Sequence, residues 1–152
     1  MKKQNNNVKD RRVLSVPAGI TYAHMTEHNV YSCPDTFQKH DLEVTAFAPR
    51  NEEGKIPRLY CLVARITTNP KNPAFPSSLK AEYAQSITTY VRAVSHLPGI
   101  LDGGGNYRFY ILSDLENGAL AHSPKLSPRG SAHVYLSLKD LIGGSSDVGP
   151  IE

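Results

Sequence analysis

Tryptophan is missing from these 152 residues, and cysteine and methionine occur only twice each. Two cysteines, Cys33 and Cys61, are too few for a disulfide scaffold. The chain opens on Met1-Lys2-Lys3-Gln4-Asn5-Asn6-Asn7 with no apolar stretch behind it, so no signal peptide is expected. A reducing, cytoplasmic setting with two free thiols follows as the default, while a pairing stays open at the level of sequence. No apolar run approaches the ~20 residues of a membrane span, and no Asn-x-Ser/Thr glycosylation acceptor is present. A serine nucleophile elbow, a phosphate-binding P-loop and a dinucleotide fingerprint are all lacking. Gly103-Gly104-Gly105 has neither the spacing nor the Lys-Ser/Thr pair these need, and reads as a turn. No cofactor is expected.

What is present fits one soluble globular domain. Hydrophobic residues make up 39% and charged residues 20%, with mean hydropathy −0.37, which excludes a wholly disordered chain. Eleven glycines and eleven prolines promise many turns. The net charge of +3 is unevenly spread. Residues 1–12 carry Lys2, Lys3, Lys9, Arg11 and Arg12 against Asp10, a net +4, while residues 13–152 hold 12 basic and 13 acidic side chains. A basic, Asn-rich, aromatic-free stretch cannot bury enough to order itself, so residues 1–12 read as a disordered arm. Such an arm grips phosphates or an anionic membrane non-specifically, or serves as a solubilising tail.

Hydrophobic periodicity sets the expected elements. Arg12–Val16 reads as a strand stopped by Pro17. Residues 19–33 are open between helix and strand. Asp41–Ala48 alternates as a half-buried strand. Arg58–Thr68, apolar on both faces, is the expected central strand, in an antiparallel hairpin with 41–48. Residues 69–76 hold three prolines and read as an extended loop. Leu79, Tyr83, Ile87, Tyr90, Val91, Val94 and Leu97 share one stripe of a helix over 78–97, capped by Ser78 and ended by Pro98-Gly99. Tyr107–Leu115 and Ala132–Leu138 are further strands, with a Pro/Gly/Ser loop over 116–131 between them. This order predicts an α+β fold: a single mostly antiparallel sheet of five or six strands with one main helix packed on it. The domain is expected over 13–142, with a flexible tail at 143–152.

Several residue groups suggest chemistry. His24-Met-Thr-Glu-His28 spells the inverted zinc-peptidase pattern, in which two imidazoles hold zinc and Glu27 polarises a water. Two surface histidines satisfy the same letters, and the motif needs a firm helix and a third ligand downstream. His24, His28, Cys33 and His40 have zinc-type ligands, at a spacing that matches no common finger. His24-Met-Thr26 and His133-Val-Tyr135 could act as paired acid and base on a phosphodiester, although Tyr135 replaces the hydroxyl residue that would grip the phosphate. A small hydrolase using His24, Glu27 and His133 is thus one reading. His122-Ser-Pro-Lys-Leu-Ser-Pro-Arg129 contains two Ser-Pro-basic steps, a second basic loop. Tyr22, Tyr31, Tyr60, Tyr107, Tyr110 and Tyr135 fall on expected strands, where a tyrosine face can stack bases.

Residues 58–112 resemble the core of rhabdovirus-type matrix proteins. The strand Arg58–Thr68, a helix closing with Ala93-Val-Ser-His96, a glycine turn and Arg108-Phe-Tyr-Ile-Leu112 carry the likeness. The arm lacks that family's proline-rich motif, and the proline loop before the helix is longer. The resemblance implies a non-enzymatic protein that self-associates and meets a ribonucleoprotein and a membrane surface.

The leading expectation is therefore a non-enzymatic binding or assembly module for an anionic partner: nucleic acid, a ribonucleoprotein or a membrane surface. It would act through Lys2, Lys3, Lys9, Arg11, Arg12, Lys125 and Arg129, with possible homo-oligomer formation. A protein-binding adaptor is the third reading.

Overall fold

Alternating apolar residues in short runs build the main sheet. The computed structural model describes residues 12–36, 46–130 and 132–151. Its strands are β1 Arg12–Pro17, β2 Val30–Pro34, β3 Ala46–Arg50, β4 Arg58–Thr68, β5 Tyr107–Ala119, β6 Lys125–Leu126, β7 Val134–Ser137 and β8 Asp147–Val148. Its helices are α1 Tyr22–His28, α2 Ala81–Val94 and α3 Leu138–Ile142, with a 3-10 turn at Gly19–Thr21 leading into α1. Six strands form one sheet in the order β2-β5-β4-β3-β1-β7. Only β1 and β3 run parallel; the other neighbours are antiparallel. The short β6 and β8 make a separate parallel ladder. The fold is α+β.

The sheet is rolled. Five inter-strand steps separate β2 from β7, roughly 24 Å if the sheet were flat. Yet the Tyr31 hydroxyl of β2 lies 3.1 Å from Nε2 of His133, the residue just ahead of β7. Tyr31 also meets Phe47 of β3 and Tyr110 of β5 at ring separations of 5.7 and 5.9 Å. Leu14, Met25, Tyr31, Phe47, Tyr60, Tyr110 and Leu112 fill this interior. The outer faces are covered as well. Ile87, Tyr90 and Val94 of α2 pack on Val30, Phe109 and Ile111. Leu126 of β6, Val148 of β8 and Leu141 of α3 cover Val13, Ala46 and Ala48 on the other flank.

Several expectations change. Strand 41–48 is described only from Ala46, where all five residues of β3 are buried; residues 41–45 lie outside the described chain. β3 does pair antiparallel with β4, Phe47 opposite Tyr60. Helix α2 starts at Ala81, with Lys80 as its extended N-cap. Ser78 is not the cap, because Ser77 and Ser78 form the corner of a turn closed by Leu79 N–H onto the Pro76 carbonyl. β5 runs to Ala119, four residues beyond the expected end, and takes over part of the supposed 116–131 loop. The rest of that loop is pinned: Lys125 and Ser127 donate to the Ser146 and Val148 carbonyls. The same bonds hold the tail over 143–151, where Ile151 donates to Tyr135 of β7. Tyr135 also pairs with Leu14 of β1. Leu138 opens α3 instead of closing a strand.

Candidate functional site

Because β1 and β3 run parallel, their C-terminal ends lie side by side. That brings Pro17, the last residue of β1, and Gly19 beyond it next to Arg50, the last residue of β3, and Asn51 and Glu52 beyond it. The segment ahead of β7 supplies Arg129 and Gly130. These residues and Gly54 line a cleft of about 290 Å³. A second hollow of about 220 Å³ shares Gly54 and Arg129 with it and adds Lys125, Ser127, Glu53 and Asp147.

Arg50 is the unusual member. It is 2% exposed, and its side-chain donors go to neutral acceptors. Nη1 donates to Ser15 Oγ at 2.7 Å and Nη2 to the Ala132 carbonyl at 2.6 Å. The Ser15 hydroxyl itself donates to the Ala48 carbonyl at 2.8 Å, so its oxygen is fixed as the acceptor for Arg50. Among the described residues, no carboxylate lies within ion-pair distance of Arg50. Burial lowers its pKa to about 10, which leaves it a cation at neutral pH. A buried cation held only by neutral groups is costly and leaves charge available to an anion. Arg129 also lines the cleft, with Nη2 3.4 Å from the Glu52 carbonyl and its guanidinium over Gly54. The Glu52 carboxylate is the opposing charge on this rim.

Of the expected anion contacts, Arg129 belongs to this cleft and Lys125, exposed on β6, to the adjoining hollow. The 122–129 segment that carries them is an ordered part of the wall: His122 Nε2 meets the Leu141 carbonyl at 2.8 Å. Arg12 is the first residue of β1, lying 4.3 Å above the Tyr135 ring. Lys2, Lys3, Lys9 and Arg11 lie outside the described residues. Arg50 was passed over because Pro49-Arg50-Asn51-Glu52-Glu53-Gly54 reads as a polar loop. The small residues Ala46 and Ala48 before it are the signal that a large side chain could be accommodated on that face.

The histidine readings separate. His24-Met-Thr-Glu-His28 does form helix α1, ended by left-handed Asn29. His24 lies edge-on to His96, ring centres 6.4 Å apart. Glu27, 69% exposed, reaches only to 4.0 Å from His28. His133 is held instead at the barrel end by Tyr31, buried to 5% exposure. The face that alternation marks as polar is thus the barrel interior, and His24 and His133 are held by different partners in different elements. Among the described residues no group of three or more His, Cys, Asp or Glu side chains is placed to hold a metal; His40 lies outside them. Cys33 and Cys61 are free thiols. Burial, only partly offset by neighbouring Arg108, raises Cys33 to about 11, so it is a protonated thiol at neutral pH. Nor is there a tyrosine platform. Tyr31, Tyr60, Tyr107 and Tyr110 are buried, Tyr22 is on a helix, and Tyr135 lies under Arg12.

No family model matches the chain, and no curated protein does. Among solved structures the chain is similar to a serine-to-alanine mutant of ZmASCH from Zymomonas mobilis. The identity is 13%, the match covers 70% of each chain, and the TM-score is 0.41. Among the described residues, no helix is long and apolar enough to cross a membrane.

Proposed function

We propose that this protein is a non-enzymatic binding module for a phosphate-bearing partner, single-stranded nucleic acid, received in the Arg50–Arg129 cleft. The observation that carries this reading is Arg50, a buried guanidinium with neutral partners, in the lining of a cleft that a second arginine, Arg129, also lines. Arginine suits phosphate because its planar donors meet two oxygens at once. The basic residues of 1–11 add non-specific attraction.

Fluorescence anisotropy of a labelled RNA oligonucleotide at low and physiological salt tests the reading. The full chain binds, more weakly as salt rises. Arg129→Ala lowers affinity by about tenfold, the scale of one lost charge-assisted hydrogen bond, and Arg129→Lys recovers part of it. A chain lacking residues 1–11 keeps the Arg129 effect with a shallower salt dependence. An unchanged affinity in Arg129→Ala would sink the proposal. The matrix-protein resemblance adds self-association to this reading, and sedimentation of the full chain checks that separately.

A further inference from the structure

A third hollow borders the cationic cleft. It holds about 150 Å³ and is lined by Pro17 at the end of β1, by Ala18 and Thr21 beyond it, by Tyr31–Pro34 of β2, by Gly99–Leu101 after α2, and by Tyr107. Pro17 belongs to both hollows. Ala18 fixes their junction, since its N–H donates to the Arg50 carbonyl at 3.0 Å.

The two hollows differ in chemistry. One is lined by two arginines, Arg50 and Arg129. The other combines apolar walls (Pro17, Ala18, Ile100, Leu101) with hydroxyls. Ser32 Oγ lies 3.0 Å from the Tyr90 hydroxyl, and Thr21 Oγ1 donates to the Ala18 carbonyl at 2.7 Å. Apolar walls suit the faces of a flat ring, while hydroxyls with remaining acceptor capacity suit a ring whose edge carries donors. Together the volumes fall in the range of roughly 300–1,000 Å³ typical of small-ligand sites.

We infer that the paired hollows form a site for one nucleotide. Its phosphate would lie between Arg50 and Arg129, its sugar would pass Pro17, and its base would occupy the Thr21–Ser32–Ile100 cavity. This inference rests on the anion-binding reading above and deepens it. A phosphorylated aromatic side chain joins the same two chemistries, but a bare phenyl ring makes no use of the hydroxyls, so the nucleotide is favoured.

Calorimetric titration of the full chain tests the inference, with inorganic phosphate, adenosine, adenosine 5′-monophosphate, O-phosphotyrosine and a short RNA as separate probes. The monophosphate binds about tenfold more tightly than inorganic phosphate, the scale of one seated base. Arg129→Ala weakens both. Ile100→Trp, which fills the base cavity from a loop, removes the nucleotide's advantage and leaves phosphate binding unchanged; Thr21→Val, a gentler change, reduces that advantage. Thermal melts establish that both variants fold. RNA binding tighter than the monophosphate assigns the site to a strand, and equal affinity assigns it to the free nucleotide; either supports the site. If phosphate and nucleotide bind alike, or O-phosphotyrosine binds best, the base site is overturned while the anion reading stands. Binding by neither phosphate nor nucleotide overturns both. A nucleotide advantage that survives Ile100→Trp and Thr21→Val also overturns the assignment.

Discussion

At the scale of single residues, two polar side chains organise the end of the barrel where the cleft opens. Tyr31 and His133 close the roll, and Arg50 lies beside them, close enough for its charge to oppose the upward push that burial gives the Tyr31 hydroxyl. Removing the hydroxyl takes this partner from a His133 that is almost fully buried. Tyr31→Phe therefore costs about 1 kcal/mol of stability, which urea denaturation would measure; an unchanged midpoint would mean the contact is idle. The trio was not legible as one site. Tyr31 read as a strand tyrosine able to stack a base, His133 as the partner of His24 in an acid–base pair, and Arg50 as part of a loop. Each acquires its role from a neighbour that only the closed sheet supplies. Arg129 could be picked from sequence because a Ser-Pro-Arg step in a basic segment advertises its charge locally.

At the scale of elements, regular periodicity was the reliable guide. The stripe through Ile87, Tyr90 and Val94 is the buried face of α2, and burying a side chain such as Ile87 contributes about 1.5–3 kcal/mol. Arg58–Thr68 is β4 with the expected bounds, between β5 and β3. The 116–131 reading failed at Asn117-Gly118, a pair that usually turns a hairpin. Here Asn117 takes φ 59 within a continuing strand, so the pair bends β5 where the β4–β5 register shifts between Arg58 and Tyr60, as bulges do. Gly118 is required by proximity: a Cβ there would meet the Leu59 carbonyl at 2.5 Å and the Leu115 carbonyl at 2.8 Å. Both atoms are backbone and cannot swing aside. Gly118→Ala is expected to cost about 1–3 kcal/mol. Thermal denaturation would show it, and a neutral result would mean that β4 and β5 separate freely at this point.

At the scale of the whole molecule, the sequence led to an α+β sheet with a packed helix but not to its closure. Closure depends on a contact between Tyr31 and His133, 102 residues apart, and no local pattern encodes it. Closure buries phenols, and burial sets the response to alkali. Tyr22 is raised to about 12 and Cys33 to about 11, while Tyr31, Tyr60, Tyr90 and Tyr110 are also raised, with burial the largest cause in each. These groups hold their protons more tightly folded than unfolded. Their contribution is whole below the unfolded values, 9.0 for the thiol and 10.0 for the phenols, and is lost as pH climbs through the folded ones. Arg50, lowered to about 10, has the opposite sign above that pH, one group against six. The melting temperature should therefore fall from about pH 9 upward, with these five tyrosines ionising together in one cooperative step of the absorbance titration. Separate, gradual ionisation of these five would contradict a closed interior. The stitching of the described chain's two ends has a mechanical consequence. Arg12 lies on the Tyr135 ring, and Ile151 is bonded to the Tyr135 backbone. A load applied between these ends falls first on β7, peeling it from β1 before the long β4–β5 ladder is stretched. The cleft wall formed by Arg129 and Gly130, just ahead of β7, would thus be the first part of the molecule to give way under tension.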